Sequence, residues 1–526
     1  MTATPAPAAD YLTLHAASLP DKLAVVDDRP DAPSVCWTFA ELDAQANRLG
    51  HVLQALGARR GDRVAWCGPN SAGVVRMIHA ARRIGAVAVP VNYRLTPDEA
   101  QFVVDDSDAV LAVVDAELAP LYEQIRDRLP KLRAVLVFGG PPRPGQLDAE
   151  ARIAAAPEHA PTVDADGGVT PVAMIYTSGT TGKPKGAVRP PPDRAQQTAL
   201  LELIGYAPGD VYLTTGPLYH SGPGGFMTTA HSLGNTVVLQ RRFEPEDWLR
   251  LVARWRVSST FAAPAPVRRI CALPAEVKAR YDVSSMKRFI ANAAPWSFAL
   301  KKAYLADFPS DSLFEVYGST ELGVNTVLRP EDQLRKPGSC GRPAPRVEIR
   351  LFDDTGREVT RPYEPGELAV RAASVLSTYH KADARFGEDR RGEAGNFQTV
   401  GDVAYFDDEG FLYICDRKKD MIISGGVNVY PAEVEAVLDA HPAVHDVAVI
   451  GVPSEEWGES VHAIVVPHAG RSPTAAELIE WSRAHLAGFK VPRSVCFATE
   501  IPRNASGKIL KKALREPFWA GHERRV

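Results

Sequence analysis

Tyr176-Thr177-Ser178-Gly179-Thr180-Thr181-Gly182-Lys183-Pro184-Lys185-Gly186 stands directly after an apolar run, 172–176, that reads as a strand. Glycines and small hydroxyl residues let backbone N–H groups come close to an anion. Ser178, Thr180 and Thr181 add hydroxyl donors, and Lys183 and Lys185 add positive charge around the Gly179 and Gly182 frame. A Ser/Thr/Gly loop by itself is commonly just a polar surface loop. Two lysines in a glycine frame after a strand point instead to a polyphosphate, with Thr177 at its entrance. The Walker pattern G-x-x-x-x-G-K-[ST] is not met, because Pro184 follows Lys183 and the earlier glycine is at the wrong spacing. A P-loop kinase or ATPase is therefore disfavoured.

Outward from this loop the chain alternates helix and strand. Thr38-Phe39-Ala40-Glu41 has capping-box spacing. Leu42, Ala46, Leu49, Leu53 and Leu56 then share one helical face, with Gly57 as a stop. Thr96-Pro97-Asp98-Glu99 opens a second helix with proline at its first position. Strand-like runs at 63–67, 86–91, 110–114, 211–215, 236–239, 259–262 and 313–317 each lead into a loop. Such alternation predicts an α/β fold with largely parallel sheets and ligands at the strand ends. The Pro/Ala/Gly/Asp-rich stretch 141–168 reads as a surface excursion. From about Arg346 short strands and Asp/Gly turns predict a β-rich subdomain, and after Asp420 a small α+β unit begins.

With 526 residues, two or more domains are expected, and 45% apolar with 24% charged residues is a globular balance. A net charge of −4 with no basic block gives no sign of a nucleic-acid partner, and no run is apolar enough over a bilayer's width to span it. Residues 1–10 lack the basic-then-apolar pattern of a secretory signal and read as a loose tail. Six cysteines, Cys36, Cys67, Cys271, Cys340, Cys415 and Cys496, are scattered without metal or disulfide spacing. They fit a reducing cytoplasm, each as a small buried apolar residue.

Further motifs follow in order: Ala291-Asn292-Ala293-Ala294-Pro295, Tyr317-Gly318-Ser319-Thr320-Glu321, Thr399-Val400-Gly401-Asp402, Asp416-Arg417-Lys418-Lys419-Asp420, Ser424-Gly425-Gly426-Val427-Asn428, and Pro502-Arg503-Asn504-Ala505-Ser506-Gly507-Lys508. Alone, each has a plain reading as a strand end, a charged linker or a solvated lysine. Together with the phosphate loop they resemble the adenylate-forming superfamily of acyl-CoA synthetases, peptide-synthetase adenylation domains and luciferases, over nearly the whole chain.

The resemblance implies a large N-terminal AMP-binding domain over 1–419, of mixed sheets with flanking helices plus the β-rich subdomain, and a small mobile domain over 420–526. It implies that Tyr317 stacks on adenine beside Glu315, Val316 and Ala294, that Thr320 meets the α-phosphate and that Glu321 helps hold magnesium. Asp402 takes the ribose, Arg417 ribose or phosphate, and Asn428 approaches AMP. Asp420 is the hinge, Ser424, Gly425 and Gly426 approach CoA, and Lys508 is catalytic. Pro217-Leu218-Tyr219-His220 leads into the acyl pocket. His220 stands beside the substrate carboxylate or is simply a buried histidine. Gly222, Gly224 and Gly225 leave acyl room or form a tight turn. Phe397 stands where the family has tryptophan, and no role passes to Val427.

The implied activity is an AMP-forming acid–CoA ligase, acting in fatty-acid or other lipid metabolism. Magnesium, ATP and CoA are required, and the acid is fatty, aromatic or polycyclic. An adenylating enzyme that loads a carrier protein, and a non-catalytic nucleotide-binding protein, are the alternatives. Whether the chain forms a homodimer is left open.

Overall fold

Local signals set the helix starts. Thr38 Oγ1 accepts the Glu41 N–H at 3.2 Å while Glu41 Oε2 accepts the Thr38 N–H at 2.8 Å. Thr96 and Glu99 repeat this box ahead of Pro97–Asp106. The computed structural model describes residues 10–163, 173–177, 184–189, 193–292, 296–376, 379–381, 390–391, 396–425, 427–503 and 509–520.

The chain forms two units. The first takes Met1–Ala293, Tyr304–Val324 and Ala373–Glu388; the second takes Ala294–Ala303, Asn325–Ala372 and Asp389–Val526. In the first unit, one sheet runs in the order Leu147–Asp148, Ala134–Phe138, Ala109–Asp115, Arg63–Cys67, Val87–Val91, Ala173–Thr177, Lys185–Arg189. Its pairs are parallel except the last, an antiparallel hairpin. The other orders Leu313–Ser319, Arg288–Ala291, Ser259–Ala262, Val211–Thr214, Thr236–Leu239 and Leu23–Asp27 in parallel, followed by antiparallel Val35–Thr38. Their inner strands are buried along their length, such as Val87–Val91 and Ser259–Ala262, as parallel strands covered on both faces are. The motif loops thus leave from carboxyl ends of parallel strands, the usual place for ligands in such sheets.

One residue binds the two sheets at that end. Asn70 is 5% exposed. Its Nδ2 donates to Thr214 Oγ1 and to the carbonyls of Gly216 and Gln240, and its Oδ1 accepts the Leu218 N–H at 2.9 Å.

The second unit carries an antiparallel sheet of Glu358–Val359, Glu348–Phe352, Gly366–Arg371 and Phe397–Phe406, with Leu412–Arg417 paired to the last. Phe397 packs into its core against Phe352. A second sheet orders Val427–Val429, Ile422–Ser424, Gly458–Pro467 and Val444–Ser454, and Ser494–Phe497 joins parallel to Gly458–Pro467. Ile422, Val449, Val461 and Val465 meet Val434, Leu438 and Leu478 from the helices in one core.

Three expectations are corrected. The 141–168 excursion contains a short strand, Leu147–Asp148, and a helix, Ala149–Ala154. Asp148 caps that helix by accepting the Ala151 N–H, and Ala149 and Ile153 are buried. The glycine-rich stretch after His220 is the start of a helix, Ser221–Ser232, not a turn. Pro223 lies in its first turn, where a missing N–H costs nothing. Cys36 is exposed, on the edge strand Val35–Thr38, and Cys271, Cys415 and Cys496 are only partly buried.

The first unit also buries two histidines that no motif announced. His231 Nε2 lies 3.0 Å from the carbonyl of Ala24, which can only accept, so Nδ1 of His231 is bare and accepts from His79 Nε2 at 2.9 Å. Nδ1 of His79 is buried and has no hydrogen-bond partner among the described residues. Burial, with Arg82 and His15 nearby, pushes His231 down to about 4, and burial, His231 and Arg83 push His79 well below its ordinary value. Both groups therefore bind protons more readily in the unfolded chain. Their neutral state contributes full stability above about pH 6.5, and that contribution is lost as pH falls toward 4. Each histidine is expected to add up to about 1.4 kcal/mol per pH unit to the slope within this window. Urea unfolding at stepped pH measures it, and a His79→Leu, His231→Leu double variant should show a flatter dependence whatever its absolute stability.

Candidate active site

The phosphate stretch is built on a hairpin. Thr177 ends the strand Ala173–Thr177 and faces Lys185 in register across the antiparallel pair. Ser178, Gly179, Thr180, Thr181, Gly182 and Lys183 lie outside the described residues, as do Ala294, Gly426 and Lys508. The hairpin's base is fixed by Tyr176, whose hydroxyl donates to Asp106 Oδ2 at 2.6 Å. Burial and then that carboxylate push the phenol well above its ordinary value.

The strand Leu313–Ser319 carries Glu315, Val316 and Tyr317 at its middle, with Glu315 and Val316 buried and Tyr317 half-buried. The expected turn beside them touches this strand, since Asn292 Nδ2 donates to the carbonyl of Val316 at 2.7 Å. Glycine is required at 318: a Cβ there would overlap the carbonyl oxygen of Gly323. That close approach is what allows the chain to turn back over Thr320, Glu321 and Leu322.

The turn is held on several sides. Thr320 Oγ1 shares a 2.9 Å hydrogen bond with Ser221 Oγ, and Arg189 Nη1 donates to the Thr320 carbonyl. Glu321 Oε1 accepts from Tyr379 Oη at 3.0 Å, and the Glu321 carbonyl accepts the Leu376 N–H at 2.7 Å. Ser221 follows His220 directly, so the expected α-phosphate residue and the expected carboxylate neighbour are brought together.

His220 Nε2 is buried and lacks a hydrogen-bond partner among the described residues. Its ring lies 4.4 Å from that of Tyr219, centroid to centroid. Burial first, and the Arg94 charge second, push it down to about 4. It is therefore neutral at ordinary pH, with a nitrogen left for a ligand. The three glycines behind it differ. A Cβ at Gly222 would overlap the Phe261 ring and one at Gly224 would lie 2.6 Å from the Leu218 carbonyl oxygen, whereas one at Gly225 meets nothing within 4 Å. Gly222 and Gly224 are thus explained by helix packing, and only Gly225 faces open space.

In the second unit Asp402 and Arg417 are cross-strand partners in register, with Arg417 Nε 3.3 Å from Asp402 Oδ1. Asp402 is buried at 7% exposure, and Gly401 before it holds a φ of +79°. The Asp420 carboxylate accepts from Arg515 Nη1 at 2.8 Å. Burial would raise this carboxyl, but Arg515 and Lys511 outweigh it and hold it below its ordinary value. The expected hinge is therefore latched to the helix Lys511–Trp519. Ser424 is buried, and the Gly425 N–H donates to the Trp457 carbonyl at 2.8 Å. A Cβ on Gly425, at φ +59°, would lie 2.7 Å from the Trp457 ring. Asn428 is exposed opposite Ile423. Arg503 and Ile509, the described residues nearest Lys508 on each side, form an antiparallel bridge, and Arg503 Nη2 pairs with Asp446 at 2.7 Å.

Sequence reasoning missed Asn70, Arg189, Ser221 and Tyr379. Arg189 is a second charge on the short strand that begins at Lys185, a pattern that gave it no role by itself.

A family model described as AMP-binding enzyme matches residues 12–380, and one described as AMP-binding enzyme C-terminal domain matches residues 433–508. A long-chain-fatty-acid–CoA ligase of Mycobacterium tuberculosis is 36% identical over 488 residues, covering 92% of this chain and 94% of its own. A fatty acid–[acyl-carrier-protein] ligase of Streptomyces coeruleorubidus is 33% identical, covering 93% of each. The solved structure of the anthranilate CoA ligase AuaEII with anthranoyl-AMP matches at a TM-score of 0.86 and 27% identity, over 98% of this chain and 99% of that one.

The glycine geometry gives a direct contrast. Gly225→Leu should leave thermal stability unchanged or slightly raised, because a helical glycine is replaced by a good helix former worth about 0.8 kcal/mol. Gly224→Leu should lower stability by about 1–3 kcal/mol through the forced overlap with Leu218. Thermal melts of the two variants compare them on one scale.

Proposed function

The chain belongs to the AMP-binding enzyme family, and we propose that it is an ATP-dependent ligase that activates a carboxylic acid as acyl-AMP and transfers the acyl group to CoA. The observation that carries this reading is the hydrogen bond joining Thr320 to Ser221. It puts the turn expected at the α-phosphate next to a histidine held neutral beside the expected acyl entrance.

The substrate carboxylate attacks the α-phosphorus of ATP, and pyrophosphate leaves. The CoA thiol then attacks the acyl carbon, and AMP leaves. The protein's part is positioning and charge stabilisation. Thr177, Lys185 and the 178–183 loop take the phosphates, and Thr320 donates to the α-phosphate. His220, neutral and with Nε2 unpartnered among the described residues, donates an N–H to the carboxylate without competing as a charge. Asp402 accepts from the vicinal ribose hydroxyls, and Arg417, already beside it, reaches ribose or phosphate. Glu315, Val316, Tyr317, Ala294 and Asn428 complete the nucleotide contacts.

Glu321 offers a hard carboxylate oxygen to magnesium entering with ATP. Among the described residues no group of three or more His, Cys, Asp or Glu side chains is placed to hold a metal. A cation held by Glu321 would take its remaining ligands from phosphate and water, as magnesium commonly does. Bound magnesium neutralises phosphate charge.

Lys508 approaches the reacting carboxylate and α-phosphate during adenylation. A small domain over 420–526 then turns at Asp420, withdrawing Lys508 and bringing Ser424, Gly425 and Gly426 toward CoA. In the observed conformation that turn has to release the Arg515–Asp420 pair or carry it along.

The Streptomyces relative that ligates acyl-carrier protein favours one second reading, a carrier-protein acceptor. Release of AMP from acyl-AMP by CoA alone decides between the two. A panel of fatty, aromatic and polycyclic acids in the same assay identifies the acid, and Gly225→Leu should shift that profile toward smaller acids.

Two results test the reading. Asp402→Ala should weaken AMP binding by about 1.5–3 kcal/mol, the worth of a charge-assisted hydrogen bond; unchanged AMP affinity in calorimetry would mean that Asp402 serves only its pair with Arg417. Lys508→Ala should slow pyrophosphate release by about 10²–10³ while leaving conversion of supplied acyl-AMP and CoA to thioester intact. Equal loss of both half-reactions in the folded variant would reject the two-step alternation.

A further inference from the structure

We propose that Tyr379 is a positioning residue that presets Glu321 for the cation accompanying ATP and couples it to Lys185. The proposal rests on the reading of Glu321 given above.

Residues 376 and 379–381 cross the first unit's active side and are tied at both ends. At the near end, the Leu376 N–H donates to the Glu321 carbonyl at 2.7 Å. In the middle, Tyr379 bridges Ala187, and the His380 N–H donates to the Gly186 carbonyl at 2.8 Å. This fixes the tyrosine over the strand Lys185–Arg189. At the far end, His380 Nε2 lies 3.1 Å from the Asp106 carbonyl and 3.2 Å from Asp108 Oδ2. Lys381 Nζ donates to the Asp106 carbonyl at 2.6 Å and to Asp108 Oδ1 at 2.8 Å. Asp106 is in turn the acceptor for Tyr176 at the base of the phosphate hairpin.

The side chain held in this way touches two groups of opposite charge. Its hydroxyl donates to Glu321 Oε1 at 3.0 Å, and Lys185 Nζ stands 5.6 Å from its ring centroid. A tyrosine donor on Oε1 fixes the rotation of the carboxylate and directs Oε2 to a further ligand. The ring meanwhile gives Lys185 a cation–π contact. Arg189, on the same strand face as Lys185 and Ala187, clamps the Thr320 carbonyl and lies close enough to Glu321 to feel its charge. Glu321 is therefore oriented before the nucleotide arrives, and ordering it costs the complex less on binding.

The test is calorimetry of ATP binding without acid, with and without magnesium, on wild type, Tyr379→Phe and Glu321→Gln, together with thermal melts. Tyr379→Phe keeps the ring against Ala187 and Lys185 and removes only the donor. The expected result is a loss of about tenfold in Mg·ATP affinity for Tyr379→Phe, the scale of one hydrogen bond to a charged group. Its affinity for metal-free ATP and its melting temperature should match wild type. Wild-type Mg·ATP affinity in Tyr379→Phe, alongside a loss in Glu321→Gln, overturns the role of Tyr379 and leaves that of Glu321 standing. Equal losses with and without magnesium overturn it also, as the mark of a general structural role. Unchanged Mg·ATP affinity in Glu321→Gln overturns the proposal together with the reading of Glu321.

Discussion

The carboxamide of Asn70 fastens the carboxyl end of one parallel sheet to that of the other. Each sheet of the first unit has its own buried strands, and apolar packing alone sets their spacing without setting their register. A carboxamide has two donors and one acceptor oxygen, and Asn70 commits both kinds across the gap. Its oxygen fixes the N–H of Leu218, two residues before His220. The helix that starts at Ser221 thereby acquires a defined position against the turn at Thr320. A buried polar group so fully partnered rigidifies its surroundings, because leaving any one partner unmet in a low-dielectric interior is costly.

From that fixed edge, the active side is assembled by short contacts between elements distant in sequence. Ser221 meets Thr320, Arg189 holds the Thr320 carbonyl, and Tyr379 holds the Glu321 carboxylate. Each contact leaves the functional group with capacity to spare. A hydroxyl both donates and accepts, and a carboxylate with one oxygen held has another to give. The three histidines discussed show the other side of the same physics. Burial keeps His79, His231 and His220 neutral, but the first two exchange a hydrogen bond with each other, while His220 Nε2 has no hydrogen-bond partner among the described residues. The pair at 79 and 231 is structural, whereas His220 stands at the candidate site, next to the Ser221 hydroxyl that meets Thr320.

In the second unit the backbone does comparable work. A left-handed φ at Gly401 turns the strand so that Asp402 and Arg417 stand opposite each other. The same conformation at Gly425 lets its backbone press against Trp457. Neither position tolerates a side chain without strain. The Arg515–Asp420 pair gives the segment between the two sheets of this unit a definite resting state.

Much of the architecture was legible in the sequence because it depends on neighbours along the chain. Capping boxes at Thr38 and Thr96, the proline at Pro97 and apolar runs ending in glycine loops are local devices. They appeared as read, and parallel sheets with loops at their carboxyl ends followed. The order and composition of the phosphate, Thr320–Glu321 and Asp402 motifs were likewise plain. The glycines after His220 were not, because glycine is disfavoured within helices and only the contacts with Phe261 and Leu218 explain Gly222 and Gly224. Cys36 looked like a core residue until its strand proved to be a sheet edge. Asn70, in the Gly68-Pro69-Asn70 stretch after a strand, showed no such role, and Tyr379 gave no signal, because its partner lies 58 positions away and that of Ser221 lies 99 away. The sequence by itself determined which chemical groups the protein carries and which local elements present them. Only the tertiary structure decided which groups meet and which are kept neutral, because hydrogen-bond pairing and desolvation depend on distances that exist only once the sheets have packed.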